Sequence, residues 1–320
     1  MSAILITAAD DALGEHLTAL LLATLRERGH APQLLTDAEL ATLGDAALQS
    51  RCAAVEVVIH LNEATPPLTD RDQWSGFRRN VLATRRLIDA CRASVRPPRF
   101  LLRSAIAVCG LHTGRGDAPA LNAKAPAAAV DSYGRQKAEC EALLHDAGLD
   151  FAILRLGLLP ALGYSSFLFE VAADARIEPA DPAELALAFA NAVDRPGLNG
   201  LTVLIGGGAA RRTCYRDGLN RVLVARGMAT LPHAAFGSAR HLDDWMDTTE
   251  SEALLRYQGR GTVAWPGARG RLQHGLLLAH SRALAAAEGR SPRLLDARVG
   301  LTLLGRGLRS ASAFVGRRGR

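Results

Sequence analysis

The first twenty residues constrain the fold of this chain more than any other stretch. Residues 3–20 read AILITAADDALGEHLTAL, and the apolar run from Ile4 to Ile6 predicts a buried strand. Beyond a short turn, helical spacing is kept by Leu13, Leu17 and Leu20. A strand that passes through a tight turn into a helix is typical of the start of a nucleotide-binding βαβ unit, because the first amides of the helix point at a phosphate.

The turn itself departs from the pattern that such a unit uses. A phosphate turn of the form Gly-x-x-Gly-x-x-Gly lets the backbone approach the phosphate with no Cβ in the way. Here these positions are occupied by Ala8, Asp11 and Gly14, so only the last glycine is kept. Asp10 and Asp11 can cap the helix and satisfy its dipole internally. We assign Ala8, Asp11 and Gly14 to the turn of a dinucleotide site, and the missing glycines leave a chain without a dinucleotide as the alternative.

Apolar strands and amphipathic helices alternate along the rest of the chain. Strands are predicted at 32–36, 55–61, 99–105, 151–156 and 201–205, and helices at 74–93, 130–147, 182–193 and 215–226. This alternation predicts an α/β fold with a doubly wound parallel, Rossmann-type sheet. We expect a dinucleotide-binding domain at 1–160, a smaller substrate lobe at 161–268 that is partly interleaved with it, and a helical, arginine-rich extension at 269–320.

The formal net charge of +6 is concentrated at the C-terminal end. Residues 290–320 contain eight arginines and one acid, which is +7, so the remaining residues together carry about −1. A nucleic-acid-binding face is therefore not predicted for the folded body. The basic tail is typical of a segment that contacts an anionic membrane or an acidic partner, and a helix packed on the body is the alternative.

Composition also indicates in which cellular compartment the protein is expected. The sequence has no apolar run of the ~18 to 20 residues that a membrane-spanning helix needs and no signal-peptide pattern, so we expect a cytoplasmic protein. Its five cysteines show no C-x-x-C pairing, and its histidines show no metal-ligand spacing. Reduced thiols and the absence of a metal site are the resulting expectations.

Several segments match one known family. VVIHLNEATPP matches its third strand and the loop beside the adenine, where Asn62 and Glu63 replace the usual small residues. NVLATRRLIDACR, RFLLRSAIAVCG and DSYGRQKAECEALL follow in the family's order. Over about residues 3 to 260 the chain resembles the extended short-chain dehydrogenase/reductases of the NAD-dependent epimerase/dehydratase kind, and the resemblance implies NAD or NADP as cofactor.

Tyr133 and Lys137 form the Y-x-x-x-K pair of that family. Four residues apart on a helix they share one face, so the ammonium can lower the phenol pKa and also reach a cofactor ribose. Such a tyrosine can exchange a proton with a carbonyl or carbinol oxygen. An exposed aromatic ring beside a solvated lysine is the structural alternative.

The resemblance implies three further site residues. The family's third catalytic residue is a Ser or Thr at the position where this chain has Ala105. Ser104, one residue earlier, carries the nearest hydroxyl and is the candidate for this role. Its alternative role is that of a hydroxyl packed within the strand. Asp37 follows the second strand, where an acid holds a ribose hydroxyl, although it could instead cap the next helix. Asn62 lies in the loop expected beside the adenine.

Three functions remain open from the sequence. The first is an NAD(P)-dependent oxidoreductase, epimerase or dehydratase that acts on a small polar substrate, such as a nucleotide-sugar or a biosynthetic intermediate. The second is a cofactor-free enzyme that uses the Tyr/Lys pair for isomerisation, elimination or cyclisation. The third is a catalytically silent scaffold subunit. A small-molecule substrate is the expected partner, and a homodimer is a compatible assembly.

Overall fold

The computed structural model describes residues 1–8, 12–66, 68–110, 119–157, 171–225, 230–233, 236–237 and 243–259. Asp11 and the basic tail lie outside these residues. The described residues fall into two compact units. The first is drawn from Met1–Ala161, Ile177–Arg212 and Leu242–Pro266, and the second from Leu162–Arg176 and Thr213–His241.

A parallel sheet of six strands forms the first unit. The strands are β1 (Ala3–Thr7), β2 (Ala31–Leu35), β3 (Val57–His60), β4 (Arg99–Ala105), β5 (Phe151–Leu156) and β7 (Leu201–Ile205). Their order is β2-β1-β3-β4-β5-β7, and every pairing is parallel. The prediction of a doubly wound parallel sheet is confirmed. Two further short strands are β6 (Arg176–Ile177) and β8 (Thr213–Cys214).

Helices follow the strands in alternation. They are α1 (Ala12–Glu27), α2 (Asp37–Thr42), α3 (Asp45–Ala53), α4 (Leu68–Arg71), α5 (Gln73–Phe77), α6 (Ala83–Arg92), α7 (Ser132–His145), α8 (Pro182–Asp194), α9 (Tyr215–Ala225) and α10 (Thr249–Leu255). The helix α1 ends at Glu27, two residues before Gly29, whose φ of 79° suits a glycine. Within the described helices, no segment has the length and hydropathy required to cross a membrane.

Side chains of the sheet divide between two apolar cores. Leu101 packs in the core that includes α1 and α8, whereas Phe100 and Leu102 pack in the core that includes α3, α6 and α7. This division follows from the alternation of side chains along a strand. Because both faces are covered, β3 and β5 are buried throughout, as is usual for parallel strands.

The helix predicted at 74–93 is present from Gln73 to Arg92, but a π-helical turn at Arg78–Leu82, which was not predicted, separates α5 from α6. Asn80, which is buried within this turn, holds the loop after β3 through bonds to the backbone nitrogen and oxygen of Ala64. The backbone oxygen of Asn80 accepts hydrogen bonds from the side chains of Thr84 and Cys140. The turn therefore places Asn80 where it supports the loop, which a regular helix pattern does not reveal.

Gly134 allows α7 to approach the turn that follows β4. Its amide is capped by the Asp131 side chain, and a β-carbon at position 134 would lie 2.4 Å from the backbone oxygen of Ala107. No Cβ fits so close to a carbonyl oxygen, so only glycine permits this packing. The approach fixes the first turn of α7, which carries Tyr133.

We predict that Gly134→Ala destabilises the protein by about 1–3 kcal/mol, because the added methyl group forces the helix away from Ala107. Thermal or urea unfolding measures the effect. Gly44→Ala is the matched control, since a β-carbon there meets nothing within 4 Å among the described atoms and the φ of −67° suits alanine. Equal stability of the two variants would contradict the close packing.

Candidate active site

The first half of α7 carries the candidate acid–base pair. Tyr133 is half-buried and Lys137 is buried, and both side chains reach the same atom, Oε2 of Glu63. The Tyr133 hydroxyl donates to Oε2 at 3.1 Å, and the Lys137 ammonium lies 3.0 Å from it. The structure thus brings the two residues together on one face of the helix, at a carboxylate that the sequence analysis did not assign to the site.

Glu63 is held from its other side by Arg103. Nη2 of Arg103 lies 2.6 Å from Oε1 of Glu63, and Lys137 also donates to the backbone oxygen of Arg103 at 2.6 Å. Burial would raise the pKa of Glu63, but the charges of Arg103 and Lys137 and the bonds from Lys137 and Tyr133 outweigh it and hold this pKa below its usual value. Glu63 is therefore a buried carboxylate between two cations.

A second part of the candidate site lies where β2 and β3 end. Asp37 accepts a bond of 2.7 Å from Nδ2 of Asn62, and its other oxygen is 3.3 Å from Nη2 of Arg79. Among the described residues, none donates a hydrogen bond to Oδ1 of Asn62, although this atom is buried. An acceptor of this kind fits a ligand that brings a hydroxyl or an amino group.

Asp37 does not cap the helix that follows it. Thr36 is the N-cap of α2, and its hydroxyl accepts the amide of Glu39 while the Glu39 side chain accepts the amide of Thr36. The capping alternative for Asp37 is therefore wrong, because Thr36 already forms a complete capping box. The carboxylate of Asp37 instead points to Asn62.

Ser104 is not brought to the Tyr133–Lys137 pair. Its hydroxyl donates to Glu141 Oε1 at 2.5 Å, and Glu141 forms a buried ion pair of 2.7 Å with Arg155. Because neighbouring strand residues face opposite sides of the sheet, Ala105 points away from this network and supplies no hydroxyl. The structure corrects the catalytic assignment of Ser104, whose hydroxyl belongs to a packing network.

The turn after β1 is described only at its ends. Ala8 donates its amide to the backbone oxygen of Leu35 at 3.2 Å, which ties the end of β1 to β2. Gly14 is buried in the first turn of α1. Asp11 lies between them, outside the described residues, so the assignment of these three positions to a pyrophosphate turn stays a prediction. Nor do the described His, Cys, Asp and Glu side chains form any group of three or more that could hold a metal ion.

A buried histidine on β3 links this strand to β1 and to α6. The ring of His60 makes hydrogen bonds of 2.6 Å to Thr7 and 2.8 Å to Thr84. Burial and, to a smaller extent, the charge of Lys137 lower the pKa of His60 to about 3. The folded protein therefore keeps His60 neutral at pH values where an unfolded chain protonates it, below about 6.5.

We predict that stability falls as the pH drops from about 6.5 towards 3, because protons then bind the unfolded chain and not the folded one. Between pH 6.5 and 5 the loss from His60 should be about 1–2 kcal/mol. Urea unfolding across this range, above the titration of most carboxylates, measures it. His60→Gln should flatten the dependence, whereas His16→Gln, at an exposed position on α1, should keep it. An unchanged slope in His60→Gln would refute the assignment.

Glu63 and Arg103 are the residues that sequence reasoning missed. Arg103 was part of a predicted strand, and Glu63 was noted only as a replacement for a small residue. A usable signal existed for Arg103, since a base stood within an apolar strand of a sheet expected to be covered by helices, and buried charges are paired in proteins. The pairing partner could not be chosen, because several acids and bases had the same property.

The strand order defines a Rossmann-type α/β protein. The model of the NAD dependent epimerase/dehydratase family matches residues 4–176, which is more than half of the chain. The chain belongs to this family, which confirms the predicted resemblance and the prediction of an enzyme of this class.

Individual relatives agree with this classification. D-erythronate dehydrogenase of Haemophilus influenzae is 27% identical over 150 residues, a match that spans 45% of this chain and only 41% of the length of that relative. The structure is similar to MoeE5 in complex with UDP-glucuronic acid and NAD, with a TM-score of 0.66 at 19% identity over 81% of this chain and 94% of that one. UDP-glucuronic acid 4-epimerase of Bacillus cereus, in complex with UDP-glucuronic acid and NAD, gives a TM-score of 0.64 at 16% identity, with 82% and 95% covered.

Proposed function

We propose that this chain is an NAD(P)-dependent oxidoreductase, epimerase or dehydratase in which Tyr133 and Lys137 perform acid–base chemistry. The observation that carries the proposal is their convergence: the phenol and the ammonium both lie about 3 Å from a single oxygen atom. Two donors that address one oxygen are suited to protonate and stabilise a substrate oxygen at the same position. Membership of an NAD-dependent family supports the cofactor.

The described residues fit a dinucleotide at one end of the site. Asp37 and the unsatisfied Oδ1 of Asn62 offer acceptors to the hydroxyl or amino groups of an adenosine, and Gly14 permits close backbone packing at the start of α1. At the other end, Lys137 would hold ribose hydroxyls. When bound, NAD(P) supplies or accepts a hydride.

Tyr133 holds the proton that the reaction needs. Its hydroxyl donates a hydrogen bond in the structure, so it carries a proton that can pass to a carbonyl oxygen as this becomes a carbinol, or return in the reverse direction. The positive charge of Lys137 stabilises the phenolate left behind. Ala105 lacks a hydroxyl, so Tyr133 and Lys137 carry out this role without the serine or threonine that the family resemblance implies.

The relatives support a proposal for the substrate class. Their names point to a sugar acid in the erythronate enzyme and to UDP-sugars in the two solved structures. A polyhydroxylated acid or a nucleotide-sugar is accordingly the substrate that we propose. Both present a secondary alcohol, which is the group that a tyrosine acid–base pair and a hydride acceptor oxidise.

One observation favours a second function. Glu63 already occupies the groups of Lys137 and Tyr133 that a cofactor and substrate would take. A cofactor-free isomerase or lyase that uses these residues with Glu63 would also account for this arrangement. The two functions differ in dinucleotide binding, which fluorescence titration with NADH and NADPH measures directly.

Tyr133→Phe should lower kcat by a factor of about a hundred or more on any sugar acid or nucleotide-sugar that the protein turns over, because the variant lacks the proton donor. The melting temperature should change little, since the ring is kept. Turnover of such substrates with NAD or NADP, followed by absorbance of the reduced cofactor, is the measurement.

The matched control is Tyr215→Phe. The hydroxyl of Tyr215 is buried and has no hydrogen-bond partner among the described residues, so its removal should affect kcat far less. Full activity of Tyr133→Phe, or an equal loss in both variants, would rule out the assigned role of Tyr133.

A homodimer, a cytoplasmic location and a docking role of the basic tail stay predictions. For the tail, we expect that deletion of residues 306–320 weakens binding to anionic vesicles, because it removes five arginines. The melting temperature should stay unchanged. Binding of the full chain should also fall with added salt, as the Debye length shortens from about 10 Å at 0.1 M to about 3 Å at 1 M. Vesicle co-sedimentation tests both points, and early melting of the truncated chain would instead favour a packed helix.

A further inference from the structure

Glu63 binds the two functional groups of the proposed site, the Tyr133 hydroxyl and the Lys137 ammonium, within the protein itself. Its Oε2 accepts the Tyr133 hydroxyl and lies beside the Lys137 ammonium, while its Oε1 pairs with Arg103. The two ion pairs are shielded from water, because the side chains of Glu63, Lys137 and Arg103 are between 1% and 6% exposed. A carboxylate is a stronger acceptor for an ammonium than a neutral hydroxyl is, so it is a strong competitor for Lys137.

A second buried pair, between α7 and β5, shows that this placement is specific. Glu141 is also buried and pairs with Arg155 at nearly the same distance, but the side-chain hydrogen bond that it accepts comes from Ser104. Glu141 therefore belongs to a packing network. Among the residues that the structure describes, Glu63 alone combines a buried ion pair with contacts to both members of the candidate acid–base pair.

The two oxygens of Glu63 have separate tasks. Arg103 holds Oε1, and the groups proposed for chemistry hold Oε2. A rotation that releases Oε2 can keep the pair with Arg103, so the carboxylate is not left as an isolated buried charge. Release of Lys137 is thus an exchange of hydrogen bonds at Oε2 and does not require the whole ion pair to separate.

We propose that Glu63 is an internal competitor for the dinucleotide: its carboxylate holds Lys137 and Tyr133 until Oε2 is released in exchange for ribose hydroxyls, and this exchange sets the affinity of the chain for NAD(H). The inference rests on the proposed function, because it presupposes a dinucleotide. It makes Glu63 a residue that determines cofactor affinity, at a position where the family resemblance implies a small side chain.

The composition of the chain permits a direct test. Lys124 and Lys137 are the only lysines in the sequence, so a protein grown with isotope-labelled lysine gives two lysine signals in an NMR spectrum. Lys124 is exposed and serves as the internal reference. Titration with NADH should shift the Lys137 signal in a saturable way, and the half-saturating concentration reports affinity without any turnover.

Glu63→Ala should bind NADH about tenfold or more tightly than the natural protein, because Lys137 no longer has to give up a carboxylate. Glu141→Ala is the matched control and should bind NADH as the natural protein does. If Glu63→Ala fails to fold, because Arg103 is left unpaired, Glu63→Ala combined with Arg103→Leu removes both charges and carries the same expectation.

The outcomes separate the two proposals. Tighter binding in Glu63→Ala or in the double variant, with a shift of Lys137 and none of Lys124, supports the inference. Equal affinity of the natural protein and the Glu63 variants, or an equal gain in Glu141→Ala, overturns the inference and leaves the proposed function intact. If neither the natural protein nor any variant responds to NADH or NADPH, both the inference and the cofactor assignment are overturned.

Discussion

Parallel pairing of the strands is the constraint on which the rest of the structure depends. Because all the strands of the main sheet run in one direction, their carboxyl ends meet at one edge, where Asp37, Asn62 and Glu63 follow β2 and β3. Both faces of such a sheet must be covered, and the helices that cover it leave only the edge for polar chemistry. The helix α7 brings Tyr133 and Lys137 to the same edge.

Buried charge is the second principle of this architecture. The pairs Glu63–Arg103 and Glu141–Arg155 lie within the first unit, and each takes a further hydrogen bond from a neighbouring side chain. Such pairs add little stability over apolar residues, since the desolvation of both ions offsets their attraction. They do fix geometry, because each partner must stay where the other can reach it.

The fold was largely predictable from the sequence, and the candidate site only in part. Strand and helix patterns are local, so β4 and β7 were predicted at their observed bounds. The π-helical turn was missed because Asn80 acts through a contact with a distant loop. Ser104 was assigned by its distance along the chain from a family position, but its orientation depends on Glu141. Glu63 was missed as a site residue for the same reason, since its partners converge only in three dimensions.

The ion pair between Glu63 and Arg103 restricts the order in which substitutions at these two positions can be accepted in evolution. Loss of Glu63 alone leaves the Arg103 guanidinium stranded in the interior, at a cost of about 3–5 kcal/mol, whereas loss of both removes that penalty and leaves Lys137 its bond to the backbone oxygen of residue 103. The two positions are therefore expected to change together. A small residue at position 63 requires an earlier change at position 103, or else the protein passes through a destabilised variant in which Arg103 is unpaired. Positions 63 and 103 form an epistatic pair, and the route between their two states is narrow.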